Sequence, residues 1–256
     1  MTAGGPGAAA GEQPLPGGLI NRVVREGDTV RRGPTANAPY VHALLRFLEE
    51  AGWPAAPRLL GVDDEGRELL TYVEGHAAWA PDQPPAVWSD RSLARAAALV
   101  RELHDLTAGT PLAAGGAVVC LNDLNPKNVV FRDLGAGLEP VALLDWDLAG
   151  PGERVHDVAF LCWQFAGLGP GVADLAEAAR RMRVATDAYG FGAGERAGLV
   201  DAVLWWQDRT VAGIEGGAAA GDPALQAIVD AGHVVAIRRD RAWTAAHRGA
   251  LRALVR

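Results

Sequence analysis

Between two apolar runs, the segment AVVCLNDLNPKNVVFRD (residues 117–133) presents Asn122, Asp123, Asn125, Lys127 and Asn128. Carboxylates and amides carried inward by apolar flanks cost several kcal/mol unless they find partners. A second carboxylate, Asp145, closes the apolar run PVALLD, and the turn-rich stretch RDLGAGLE lies between. The midpoint of 128 and 145 falls inside that turn. A symmetric hairpin sets Asn128 and Asp145 opposite each other, roughly 5 Å apart at Cα. A one-residue bulge shifts this register without separating the ends far. Asp123 enters at the same end. An oxygen-only set of this kind suits a hard cation such as Mg2+, which keeps several waters and shares phosphate oxygens. With no histidine or thiolate in the set, zinc is disfavoured. A carboxylate beside metal and phosphate accepts or orients a hydroxyl proton, so the chemistry implied is phosphoryl transfer.

The surrounding elements must hold that loop in place. NRVVREGDTVRR predicts a hairpin turning at Glu26-Gly27-Asp28, and PRLLGVDDEGRELLTYVEG predicts another at Asp64-Glu65-Gly66. Between them Val41, Leu44, Leu45 and Leu48 recur at helical spacing, with Pro39 at the start and Gly52 at the end. The Pro-rich stretch HAAWAPDQPPAVW then reads as a connection. Beyond it RSLARAAALVRELHDL predicts a helix capped at Ser89 or Asp90, and helical periods recur at about 172–189, 195–213 and 223–252. The fold class expected is α+β with two lobes: a small β-rich N-lobe at 18–75 and a larger, mainly helical C-lobe at 76–256. Residues 1–17, rich in Gly, Ala and Pro, read as a flexible tail. A cleft between two such lobes is where ligands bind.

NDLNPKN followed by LLDWDLAGPG resembles the catalytic and metal-binding segments of the aminoglycoside phosphotransferase family, relatives of protein kinases. The resemblance runs from about residue 18 to the helices after 190 and is sharpest over 117–161. It implies a protein-kinase-like fold in which Asp123 is the catalytic carboxylate and Asn128 and Asp145 hold Mg2+. It makes TVRR the strand whose basic residue reaches the α- and β-phosphates, with Arg31 preferred over its neighbour. LTYVEG, through Tyr72, Val73 and Glu74, becomes the link whose backbone meets the base of ATP, or of GTP in its place. Asp157 in HDVAF is implied as a buttress of the catalytic loop. The implied partner is a small molecule bearing a hydroxyl. Asp187, Glu195, Asp201 and Asp208 suit an amine-bearing acceptor, and equally suit a solvated surface. The chain departs from the family pattern at four places. Leu121 stands where a histidine is usual, and arginine replaces the phosphate-binding lysine. Val41 and His42 occupy the place of the acidic partner on the helix. Of a glycine-rich loop only Gly17 and Gly18 are present. These departures motivate an alternative, a nucleotide-binding, pseudokinase-like protein without phosphotransfer.

Other classes fare worse. A net charge of −7 and a pI near 5.4 argue against nucleic-acid binding. Cys120 and Cys162 lie in apolar runs with no paired C-x-x-C, and Ser89 and Ser92 stand outside any G-x-S-x-G, so structural zinc, disulfides and serine hydrolysis are disfavoured. No signal-peptide pattern and no run of eighteen apolar residues appear, which makes the cytoplasm the default and leaves no membrane partner. Asp145 and Asp147 also spell the D-x-D of metal-dependent glycosyltransferases, whose parallel sheet the element order does not provide. Lys127, beside Asn128, either meets phosphate charge or faces solvent. His42, His76, His104 and His156 read as satisfied structural histidines. Trp205 and Trp206 with Asp208 line a pocket or form core and rim.

Overall fold

A computed structural model of the chain describes residues 12–15, 23–80, 82–135 and 137–256. Its first element corrects an expectation. Gln13–Pro14 (β1), assigned above to the tail, pairs with β2 (Val24–Glu26) as an edge strand, and Leu15 N–H donates to the Val23 carbonyl at 3.0 Å. Strand pairing uses backbone groups that composition does not register, and proline is tolerated at an edge. Gly17 and Gly18 lie outside the described residues. A turn with Gly27 at φ 58° leads from β2 to β3 (Thr29–Arg32). The second expected hairpin forms between β4 (Leu59–Val62) and β5 (Glu68–Thr71), completing an antiparallel sheet in the order β1-β2-β3-β5-β4.

Helix α1 (Ala38–Glu50) covers this sheet. Val41, Leu44, Leu45 and Leu48 are all buried, each contributing on the order of 1.5–3 kcal/mol over exposure. Asn37 stands at the helix N-terminus, but its side chain does not cap. Its Nδ2 donates to the carbonyls of Asp147 (3.0 Å) and Ala149 (2.9 Å), tying α1 to the segment after Asp145.

After the link at 72–75, β6 (His76–Ala77) joins a three-stranded antiparallel sheet with β8 (Val129–Asp133) and β9 (Leu138–Leu143). Gly75, at φ 151°, permits that approach: a Cβ there would lie 2.5 Å from Val130 Cγ1. Two short strands, β7 (Val118–Cys120) and β10 (Gly150–Gly152), pair antiparallel on either side of the polar segments. Sequence periodicity missed both, because three residues cannot show a period.

The rest is helical. Helix α2 (Asp90–Thr107) is capped by Ser89, whose Oγ accepts from Ser92 N–H at 3.1 Å. Then come α3 (Arg154–Ala166), α4 (Leu175–Tyr189), α5 (Ala193–Arg196), α6 (Leu199–Ala219), α7 (Pro223–Asp230) and α8 (His233–Val255). The single helix expected at 223–252 is two, because Gly232 at φ 80° breaks it. No helix among the described residues is long and apolar enough to cross a membrane. The molecule is thus the α+β, sheet-then-helices arrangement expected, with the polar loop where the two parts meet.

Candidate active site

Strand β7, fully buried, delivers the chain into the loop at 121–128. That loop is held from below by Asp157 on α3. The fully buried carboxylate accepts the N–H of Leu121 (2.7 Å) and of Asn122 (2.9 Å), and lies 3.1 Å from His104 Nε2 on α2. His104 Nδ1 in turn lies 2.8 Å from the Tyr189 hydroxyl on α4. The buttress role implied for Asp157 thus has a geometry. It works through backbone N–H groups, so the side chain at Leu121 is not needed for it. Asn122 has φ 65° and Asp145 φ 57°, the two non-glycine residues with positive φ among the described residues. Holding them there costs on the order of 1 kcal/mol each. Both flank the site.

Two amides fix Asp123. Asn125 Nδ2 donates to its Oδ1 (2.8 Å), and Asn128 Nδ2 to its Oδ2 (2.8 Å) and carbonyl (3.0 Å). Burial raises the Asp123 pKa; Lys127 and the two amide bonds work against that rise. Asn128 is fully buried, and its remaining oxygen, Oδ1, takes no hydrogen bond. An unpaired buried acceptor costs about 1–3 kcal/mol, so this atom is set for a partner of another kind.

The register of the β8–β9 ribbon differs by one residue from the symmetric expectation. Val129 faces Leu143 and Leu144 N–H donates to the Asn128 carbonyl at 2.7 Å, so Asn128 stands opposite Leu144 rather than Asp145. A bulge between Val130 and Phe131 shifts the pairing, and Asp145 follows one residue on in left-handed conformation. Its side chain is 42% exposed. Desolvation, with Asp147 and Asp123 nearby, raises its pKa to about 6. An orphaned amide oxygen and a crowded carboxylate form a donor set that fits a divalent hard cation.

The basic residue reaching this set is Arg32, not Arg31. Strand alternation turns the two to opposite faces. Arg31 pairs with Glu26 and, at 3.6 Å, with Glu12. Arg32 is 11% exposed. Its Nη2 lies 2.6 Å from Asp147 Oδ1, its Nη1 3.9 Å from Asp145 Oδ1, and its Nε donates to Glu68 Oε2 at 2.7 Å. Val30 packs on the core, and two residues on, Arg32 shares its face. The acidic partner sought on α1 stands instead on β5, where Glu68 is directly opposite Arg32 across the strands. Glu68 is fully buried, and its Oε1 lies 2.6 Å from His42 Nε2. Asp147 is engaged by Arg32, which leaves Asp145 as the carboxylate of the pair open to a cation.

In the link, Tyr72 N–H donates to the Asp28 carbonyl (2.7 Å), and the Arg25 guanidinium lies 3.5 Å from the Tyr72 ring centroid. The Glu74 carbonyl accepts from Arg132 Nη2 at 2.8 Å, and the Glu74 side chain pairs with Arg25 at 3.4 Å. Among the described residues, Val73 N–H and C=O take no partner. Of the three link residues it is the one whose N–H and C=O both take no partner among the described residues.

A family model described as the phosphotransferase enzyme family matches residues 11–118 and 107–203. The trifolitoxin immunity protein of Rhizobium leguminosarum bv. trifolii is 31% identical over 217 residues, covering 74% of this chain and 78% of the relative. Among solved structures, a choline/ethanolamine kinase family protein from Mesorhizobium loti superposes with a TM-score of 0.62 at 20% identity, over 98% of this chain and 94% of that one. A microcompartment-associated aminopropanol kinase gives 0.59 at 11%, over 94% and 93%. The GDP complex of wild-type aminoglycoside 2'-phosphotransferase-IIIa gives 0.58 at 12%, over 92% and 93%. At these identities the structural likenesses establish a kinase-like fold. With the family model spanning most of its length, the chain belongs to the phosphotransferase enzyme family.

Proposed function

We propose that this protein is a kinase that transfers the terminal phosphoryl group of ATP, or of GTP, to a hydroxyl of a small molecule with Mg2+ as cofactor. One observation carries the reading. Asn128 pins Asp123 with its amide nitrogen while its buried oxygen is left unpaired at the end of the ribbon that carries Asp145. A loop built only for stability would pair that oxygen.

In this reading Asn128 Oδ1 and Asp145 hold the metal, which supplies charge neutralisation on the phosphates. Asp123, its two oxygens already oriented by amides, aligns the acceptor hydroxyl and takes its proton. Arg32 leaves the carboxylates of Asp147 and Asp145 to grip the phosphates while Glu68 keeps its Nε anchored. Val73 offers one donor and one acceptor to the base, an edge that suits adenine or guanine, and Tyr72 and Glu74 frame it. The aminoglycoside 2'-phosphotransferase-IIIa neighbour in complex with GDP supports a nucleotide in this cleft. Catalysis then comes from positioning and charge stabilisation.

The immunity relative suggests an acceptor among toxic natural products, and the choline/ethanolamine and aminopropanol kinase neighbours suggest small amino alcohols. A nucleotide-consumption screen across aminoglycosides, amino alcohols and hydroxyl-bearing toxins tests this. Consumption that depends on Mg2+ and on one acceptor class, and that Asp123→Ala removes, is the expected outcome. Saturable nucleotide binding with no acceptor-dependent turnover across the set would favour the binding-only alternative.

A further inference from the structure

The chain has 24 basic residues of the Lys and Arg types, and only one of them, Lys127, is a lysine. It stands in the catalytic loop, between Asp123 and Asn128. A chain that meets every other need for a cation with arginine has placed its one compact, flexible ammonium at this position. Arg and Lys differ in kind here: a guanidinium offers a rigid planar fork, an ammonium a point charge that three donors can swing around.

The geometry gives that charge a direction. A tight turn at Pro126–Asn128 fixes the base of the side chain, and Asn125 Oδ1 accepts the Lys127 N–H at 3.1 Å. The side chain is partly buried. Its Nζ lies 5.5 Å from the centroid of the Trp79 ring, within cation–π range. Among the described residues it forms no ion pair within 4.0 Å. Its field nevertheless reaches both Asp123 and Asp145, opposing the rise that burial imposes on each. A cation near two carboxylates, paired to neither and resting on an aromatic face, is free to move to a new anion.

We propose that Lys127 is a catalytic residue whose ammonium sits on the phosphoryl group as it passes from a nucleoside triphosphate to the acceptor. The inference rests on the kinase reading above. In the step, the acceptor oxygen forms a bond to the γ-phosphorus while the bond from that phosphorus to the β,γ-bridging oxygen breaks. The electron pair of the broken bond leaves with the nucleoside diphosphate, and the hydroxyl proton passes to Asp123. Lys127 exchanges no atom. It leaves Trp79 and neutralises the charge spread over the equatorial oxygens of the group in transfer.

Because the acceptor is unidentified, the test uses Mg-ADP alone and Mg-ADP with aluminium fluoride, a mimic of the phosphoryl group in transfer. In titration calorimetry, Lys127→Met should bind Mg-ADP within about threefold of the wild type, since ADP lacks the group Lys127 touches. The same variant should lose about 30- to 100-fold in affinity for the aluminium fluoride complex, and Lys127→Arg should recover part of that loss. As an independent reading on the wild type, acylation of Lys127 by an amine-directed reagent, followed by mass spectrometry, should slow strongly with Mg-ADP and aluminium fluoride and little with Mg-ADP alone. If Lys127→Met binds both complexes as the wild type does, or loses equally for both, the proposal is overturned and the kinase reading stands. If the wild type binds neither Mg-ADP nor Mg-GDP, the kinase reading falls and this inference with it.

Discussion

The loop at 121–128 and the Arg32 clamp meet at Asp145 and are built in opposite ways. Close neighbours in sequence fix the loop side chains: Asn125 and Asn128 reach back two and five residues to Asp123, and one buried carboxylate, Asp157, holds the backbone. The clamp is long-range. Glu68 comes 36 residues after Arg32, and Asp147 still further along the chain. The loop is a rigid cradle of neutral amide bonds; the clamp is a set of ion pairs whose partners can be exchanged. A transferase needs both, one part that keeps the hydroxyl aligned and one that admits and releases a charged ligand.

Mutations can break or sharpen this contrast. The largest effect belongs to the cradle: Asp123→Ala should lower turnover by about 10³-fold or more with nucleotide affinity nearly intact, read by steady-state kinetics beside calorimetry. Nucleotide affinity that falls in step with turnover would place Asp123 in binding instead. Next, Asp157→Ala strips two backbone N–H groups and His104 of their buried partner and should cost about 3–5 kcal/mol in a urea titration. A loss under 1 kcal/mol would show that the loop does not depend on it.

The clamp should respond more gently and be repairable. Glu68→Ala is expected to weaken Mg-ATP binding about tenfold, and adding His42→Glu should restore most of it, since His42 and Arg32 meet on the two oxygens of Glu68 and a carboxylate at 42 can take over that place. Failure of the double variant to recover would mean that Glu68 does more than anchor Arg32. The smallest effect has the opposite sign. Asp145 is harder to ionise in the folded protein than in the unfolded chain, so its contribution to stability is lost as pH rises through about 6. Asp145→Asn should therefore raise the ligand-free Tm at pH 7.5 by on the order of 2 °C while removing Mg2+-dependent nucleotide binding. A lower Tm would indicate that the 3.9 Å approach of Arg32 outweighs the crowding by Asp147 and Asp123.

This contrast also marks what could be read from the residues. The cradle was legible because turn chemistry and hairpin spacing act over a few residues: Asp123, Asn128 and Asp145 converge from counting alone, with the register off by one because the turn is centred one residue early and the bulge recovers only half of that offset. The hairpins and α1 were legible from Gly27, Gly66 and the period of Val41, Leu44 and Leu48. The clamp was not. Which of two adjacent arginines faces inward depends on which sheet face α1 covers, and Glu68 is identifiable only once β3 and β5 are known to be neighbours. Strands as short as β7 and β10 leave no pattern, and a single glycine such as Gly232 inside a helical period does not by itself mark a break.

The clamp also governs how a ligand approaches. Asp123, Asp145, Asp147 and Glu68 outnumber Arg32 and Lys127 around one small volume, so the ligand-free cleft is electronegative. A bare triphosphate meets repulsion at its mouth, whereas one already wrapped around a divalent ion arrives with much of that penalty cancelled. On the kinase reading proposed above, ion and nucleotide would enter together, with Arg32 changing hands only afterwards.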